Sequence, residues 1–322
     1  MKELLSFPVY RGCFDPWGGA EALRRRCAAL GCAGVEPIWG DDSPTDALPA
    51  GLAAGYHLTF WPDWLDLWLG DRAALDAKFG GRAVWTAYYG GDDRESLLRA
   101  WRADLDRALA LGAPYAVFHV ADASIEEQFL YRYRHSDEEV ADAAAQALNL
   151  LLKGERRPFA LLLENQWWPG LRFTDPRLTA RLLDRVQWPD TGLMLDTGHL
   201  LCTDPSLRTQ AEGADYILRQ LRAHGSLAKA VRGLHLHQSL SGDYVRAHTG
   251  ALPPDLAEDY LARYAQNYAH VLQIDRHQPW TDPAVRAVVE AAAPQWLVHE
   301  LTGPTPEARE AAVRAQRRAL GL

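Results

Sequence analysis

The chain has 322 residues, 48% of them apolar and 24% charged, with 34 basic against 42 acidic side chains and a formal net charge of -8. That composition supplies a large core and argues against extended disorder. The negative balance counts against a broad nucleic-acid-binding face, although it leaves room for a local basic cleft around metal ions. No Pro/Gly/Ser-rich or highly charged linker divides the sequence, so residues 1–322 are expected to form a single domain. Cys13, Cys27, Cys32 and Cys202 show no C-x-x-C pairing and read as core thiols. With no signal-peptide pattern and no long apolar span, a cytoplasmic location without a membrane partner is expected.

In chain order, a strand is expected over residues 4–10 and a helix over 20–30, followed by strands over 34–39 (GVEPIW) and 55–60 (GYHLTF). An amphipathic helix over 92–111 precedes the strand YAVFHV at 115–120, and another over 137–153 precedes FALLLEN at 159–165. The alternation continues with helix 176–187, strand 192–196, helix 206–224 and strand 231–237. A long insert with a helix over 254–270 leads to the run HVLQID, then a helix over 282–292 and a strand over 295–301. Repeated apolar strands separated by helices of this size predict an α/β fold, a (β/α)8 TIM barrel with long loops at its C-terminal face. An open doubly wound sheet is the alternative.

Several of these apolar runs end in side chains that bind metals. Glu164 follows LLL, Asp196 follows LML and Glu300 follows LVH. Buried acids are costly unless compensated, and a shared divalent cation compensates them. The alternative is separate ion pairs or helix caps near the barrel rim. Asp196-Thr197-Gly198-His199 adds a histidine through a turn that Gly198 is expected to ease. His235 and His237 share one face of a strand because side chains alternate with period two, so one can ligate metal while the other binds substrate or a second ion. His57 and His119 end two earlier strands, and Asp275 with His277 lies just before a late helix. If all converge they exceed the ligand count of one tetrahedral zinc ion, and a centre of two or three divalent ions follows, with zinc expected and Fe2+ or Mn2+ as alternatives.

This collection resembles the xylose-isomerase-like TIM barrel superfamily and, in its metal motifs, the bacterial zinc-dependent abasic-site endonuclease family. Glu164 matches that family's bridging glutamate, and Asp196 with His199 matches its D-x-x-H pair. His235-Leu236-His237-Gln238-Ser239 matches H-L-N-D-S at the first, second and fifth positions. The resemblance further implies that His57, His119, Asp275, His277 and Glu300 complete a ligand set for three ions. His237 stands where the family has asparagine and Gln238 where it has an acid. Isomerase and epimerase relatives use a smaller set, which Glu164, Asp196, His235 or His237, and Glu300 would satisfy.

The Asp275/His277 pair favours a metal-dependent phosphodiester hydrolase that uses metal-activated water, with Glu164 and Glu300 as catalytic groups. A divalent-metal-dependent sugar isomerase or epimerase is the alternative; an abasic-site endonuclease and a non-catalytic metal-stabilised binding module are further readings. A small phosphorylated substrate, a nucleotide-containing or other compact phosphodiester, is favoured over a sugar or DNA. Trp61, Trp64 and Trp68 are spaced to form either one packed helix face or an aromatic lid. Trp167 and Trp168, directly beyond Glu164, are expected at the mouth of the site. Arg132 and Arg134 are candidate phosphate contacts, and Trp61 and Gln238 are further candidate substrate contacts.

Overall fold

The computed structural model describes residues 1–40 and 47–322. Seven strands, β1 (Lys2–Val9), β2 (Val35–Trp39), β3 (Tyr115–His119), β4 (Ala160–Glu164), β5 (Thr191–Asp196), β6 (Val231–Leu236) and β7 (Trp296–His299), form one sheet. Its order is β2-β1-β7-β6-β5-β4-β3, and every neighbouring pair is parallel. The crossovers begin with α1 (Ala20–Ala29), α2 (Leu65–Leu69), α3 (Arg72–Phe79), α4 (Arg82–Tyr89), α5 (Arg94–Ala110), α6 (Ile125–Leu130) and α7 (Asp137–Leu151). They continue with α8 (Pro176–Arg185), α9 (Thr197–Cys202), α10 (Gln210–His224), α11 (Gly242–His248), α12 (Tyr260–Ile274), α13 (Val285–Ala292) and α14 (Pro306–Leu320).

The eighth strand expected over 55–60 is instead a short bridging segment. His57 makes parallel bridges to Ile38 on β2 and to Val117 on β3, the two edge strands of the sheet. Its N–H donates to the Pro37 carbonyl at 2.9 Å, and Leu58 N–H donates to the Val117 carbonyl at 3.0 Å. A second parallel bridge joins Val35 to Ala53, and Pro37, between Val35 and Ile38 on β2, has no N–H to donate, so the pairing to β2 stays broken into isolated bridges. Thr59 N–H then leaves the sheet altogether for the Asp104 carboxylate, at 2.5 Å.

Two further differences follow from helix formation. The run HVLQI is the last part of α12, with Asp275 as its C-cap, and that helix starts at Tyr260, where the Asp259 side chain accepts from Ala262 N–H at 3.0 Å. Helix α14, capped by Thr305 with Pro306 in its first turn, lies beyond the predicted elements. The expected strand at 295–301 shortens to Trp296–His299.

Period-two alternation sorts the strand residues into two layers. Leu161, Leu163, Leu193, Leu195, Leu234 and Leu297 belong to the main core, which also includes buried residues of the helices. Leu4, Tyr115, Val117, Leu162, Met194 and Val298 form a separate cluster on the opposite strand faces, inside the sheet's curvature. Parity carries that inner face onward to Glu36, His119, Glu164, Asp196, His235 and Glu300, so the metal-capable residues gather where the strands end. The tryptophans after His57 take the packing alternative: Trp64 and Trp68 are buried in the main core, and Trp61 meets Trp101 edge-on at 5.6 Å.

Candidate metal centre

Glu164 stands at the middle of the site. Its Oε2 lies 3.1 Å from Nε2 of both His57 and His119, while its Oε1 lies 3.2 Å from His235 Nδ1 and 3.3 Å from His199 Nδ1. Each oxygen therefore faces a different set of partners. The first set is His57, His119 and Glu164; the second is Glu164, Asp196, His235 and Glu300, with ligand atoms in each set within 4.8 Å of one another. Around Asp275 a third gathers, with Oδ2 at 3.2 Å from His199 Nε2 and 2.6 Å from His277 Nε2.

Local structure sets these positions. Asp196 ends β5 and caps α9, its Oδ1 accepting from His199 N–H at 2.6 Å, so the first helical turn returns His199 to the same side. Asn165, the residue after Glu164, locks the two strand ends together: it accepts from Asp196 N–H at 2.8 Å and donates to the Asp196 carbonyl at 3.0 Å. Gly198 is needed for space rather than for the bend, because a Cβ there would sit 1.9 Å from His237 Cε1.

Two observations test whether these residues fit metal ions. Glu164 Oε1, His235 Nδ1 and Glu300 Oε2 are all buried without a hydrogen-bond partner, yet His235 Nδ1 faces the two oxygens at 3.2 and 3.0 Å. Buried polar atoms left unpaired and aimed at common ground are what a coordinating cation would satisfy. The charge pattern agrees. Burial opposes the charge of Glu164, but His119 and His235 outweigh it and hold the carboxyl well below the ordinary range. Burial likewise pulls His235 down, and Glu36, Glu164 and Glu300 outweigh it, holding the imidazole well above its usual value. The residues fit divalent metal binding.

His235 and His237 have separate surroundings. His235 faces Glu164 and Glu300, whereas His237 Nε2 lies 2.9 Å from Asp196 Oδ2 and its ring stacks on His277 at 4.2 Å. His237 does not line the cleft, and its ligand atoms fall in two further metal-capable groups, one with Asp196 and His199 and one with His277 and Glu300. Sequence reasoning missed Glu36, whose Oε1 lies 2.9 Å from His235 Nε2 and whose Oε2 accepts from the Tyr115 hydroxyl at 2.6 Å. The available signal was a lone carboxylate inside the apolar strand VEPIW.

Beside these groups lies a cavity of about 230 Å³. His57, His119, His199, Asp275, His277 and Glu300 contribute to its wall, with Phe60, Trp167 and Trp168 supplying aromatic surface. Helix α12 adds Tyr264, Asn267, Tyr268 and Val271, a single face at positions i, i+3, i+4 and i+7. Other expected substrate contacts lie elsewhere. Arg134 pairs with Asp71 and Asp66, which draw its guanidinium away, and Arg132 lies outside the wall. Gln238 pairs through its backbone with Gln278, and its side chain accepts from Leu240 N–H at 3.2 Å. Trp61 is spent on Trp101.

The profile of the xylose isomerase-like TIM barrel family matches residues 24–320. The chain belongs to that family. Among solved structures, this xylose isomerase-like barrel is similar to endonuclease IV from Thermus thermophilus, with a TM-score of 0.53 and 18% identity over 100% of this chain and 99% of that one. It is similar to a D-tagatose 3-epimerase-like protein, with a TM-score of 0.53 and 11% identity over 100% and 97% of the two chains. A 3-keto-D-glucoside 4-epimerase from E. coli aligns at a TM-score of 0.51 and 12% identity, covering 100% of both chains. At these identities the likeness concerns the fold. No curated protein matches the sequence.

Proposed function

We propose that this xylose isomerase-like barrel is a metal-dependent hydrolase of a compact phosphodiester. The observation that carries the reading is the third group: His199, Asp275 and His277 stand beside a four-residue set that is already complete without them. His57, His119 and Glu164 would hold one ion, Glu164, Asp196, His235 and Glu300 a second, and His199, Asp275 and His277 a third. Divalent ions bound there, zinc in a set this rich in imidazole, supply charge neutralisation for a phosphate and a lowered pKa for water.

The chain's own residues do the rest. Glu164 divides its two oxygens between groups and so sets their separation. Glu300 has one edge in the cavity and is placed to orient an attacking water and receive its proton. Phe60, Trp167 and Trp168 exclude bulk water and strengthen the electrostatics within. A cavity of about 230 Å³ suits a compact substrate better than a duplex.

A sugar isomerase or epimerase is the second reading. It is favoured by the self-sufficient set Glu164, Asp196, His235 and Glu300, and by a cavity wall to which no Lys or Arg contributes among the described residues. Metal analysis combined with an activity panel separates the two. Two or three ions per chain with turnover of bis(4-nitrophenyl) phosphate, abolished in Glu164→Gln, supports hydrolysis. One ion with ketose epimerisation supports sugar chemistry. Much more efficient cleavage of an abasic-site duplex than of small diesters would overturn the compact-substrate reading, and no turnover of any of these would leave a binding module.

A further inference from the structure

The α12 wall of the cavity carries an amide whose orientation is forced. Gln128, on α6, donates its Nε2 to the Ala123 carbonyl at 2.7 Å. A flipped Gln128 would set two oxygens against each other there, so its Oε1 must be the end that points to α12. That oxygen accepts from Asn267 Nδ2 at 2.7 Å. One N–H of Asn267 is thus committed to Gln128, which fixes which end of the amide is its carbonyl oxygen.

That carbonyl oxygen, Oδ1, is buried and unpartnered, on a residue that is 4% exposed and lines the cavity. Trp168 Nε1 is likewise buried and unpartnered, on another residue of the same wall. A buried acceptor left unmet is destabilising, and a substrate donor would relieve it. Gln128 and Asn267 lie 139 positions apart in sequence, so two separate elements must be packed together to create this one oriented acceptor. No Lys or Arg lines the wall among the described residues, so a second anionic group placed at Asn267 would meet a carbonyl oxygen and no cationic side chain of that kind.

We propose that Asn267 is a specificity-determining residue that reads a hydroxyl on the non-reacting part of the substrate, which is an uncharged polyol or sugar-like moiety. A hydroxyl donates to the Asn267 carbonyl and can still accept from an indole N–H such as that of Trp168. A carboxylate or second phosphate offers no donor to that oxygen. The assignment rests on the cavity being the substrate site, as in the phosphodiester reading, and names the part of the substrate remote from phosphorus.

Calorimetric titration of the zinc-loaded full-length chain tests it with three diesters: phenyl propyl phosphate, phenyl 2,3-dihydroxypropyl phosphate and phenyl 2-carboxyethyl phosphate. The diol ester is expected to bind about tenfold or more tighter than the propyl ester, the return on satisfying one buried acceptor, and the carboxyethyl ester more weakly than either. In Asn267→Leu the ratio of diol to propyl affinity collapses towards one, whatever happens to each affinity alone. Gln128→Met, which removes the group orienting the amide, lowers the same ratio and serves if Asn267→Leu does not fold. Equal binding of propyl and diol esters, tighter binding of the carboxyethyl ester, or a preference that survives these substitutions overturns the proposal. If no diester binds, the phosphodiester reading fails, and erythritol against 1,4-butanediol repeats the comparison. An erythritol preference lost in Asn267→Leu upholds the hydroxyl assignment, and its absence overturns it.

Discussion

Glu36 holds His235 from behind: Glu36 Oε1 lies 2.9 Å from Nε2, while Nδ1 on the other side of the ring lies 3.0 Å from Glu300 Oε2. The Tyr115 hydroxyl donates to the second Glu36 oxygen at 2.6 Å and holds the carboxylate in place. A carboxylate in this position orients the imidazole and raises its basicity towards a metal. Glu36→Gln is expected to weaken metal retention about 10–100-fold, measured by chelator competition. Unaltered retention would remove Glu36 from any supporting role.

Asp275 brings His199 and His277 together, with its Oδ2 at 3.2 Å from one and 2.6 Å from the other. Asp275→Ala should therefore lower the bound metal by one ion per chain and reduce phosphodiester turnover by about 100-fold or more, since the third group is what favours hydrolysis. Elemental analysis of the purified variant checks the first outcome. An undiminished metal content would mean that Asp275 serves only to pair histidines.

Acid should compete with metal. Burial pulls His277 down, but Asp275 and Glu300 outweigh it and push it up to about 9, while His199 and His235 are also held well above their ordinary value. For His277 the stabilising contribution to the metal-free chain is present below the ordinary value of 6.5 and lost as pH rises towards about 9. Metal must displace these protons, so affinity rises over the same interval and binding releases protons. Thermal melts with EDTA and with zinc across this range should diverge: the metal-free chain loses stability from this group as the loaded chain gains. Parallel curves would contradict it.

Gly198 packs directly against the His237 ring, where a Cβ would lie 1.9 Å from Cε1. Gly198→Ala should cost about 1–3 kcal/mol by overpacking and should shift His237 away from Asp196 and from its stack on His277. Urea denaturation gives the first quantity. A variant as stable as the parent would show that the D-x-x-H turn tolerates the displacement.

Much of the centre was legible in one dimension because strand residues alternate between faces with period two. Once Leu162 or Met194 is assigned to the inner face, Glu164 and Asp196 must share it, and the same parity carries His119, His235 and Glu300. Asp196 also announces its turn, because an aspartate before a helix caps it and brings His199 round. The arginines were less legible. Charge near a strand end says nothing of a competing partner, and Arg134 finds Asp66 and Asp71, 68 and 63 positions away in the chain.

By itself the sequence determined the alternating elements, the inward set of acids and histidines, and hence a barrel built around candidate metal ligands, since each of these depends on local periodicity. Tertiary structure decided what locality cannot express. It joined residues 55–60 to both edge strands through a bridge at His57, gave His235 and His237 different surroundings, revealed Glu36 behind His235, and laid α12 along the cleft so that Gln128 could orient Asn267. Each of those outcomes depends on pairing between groups distant in the chain, and only the folded arrangement specifies which partner each group finds.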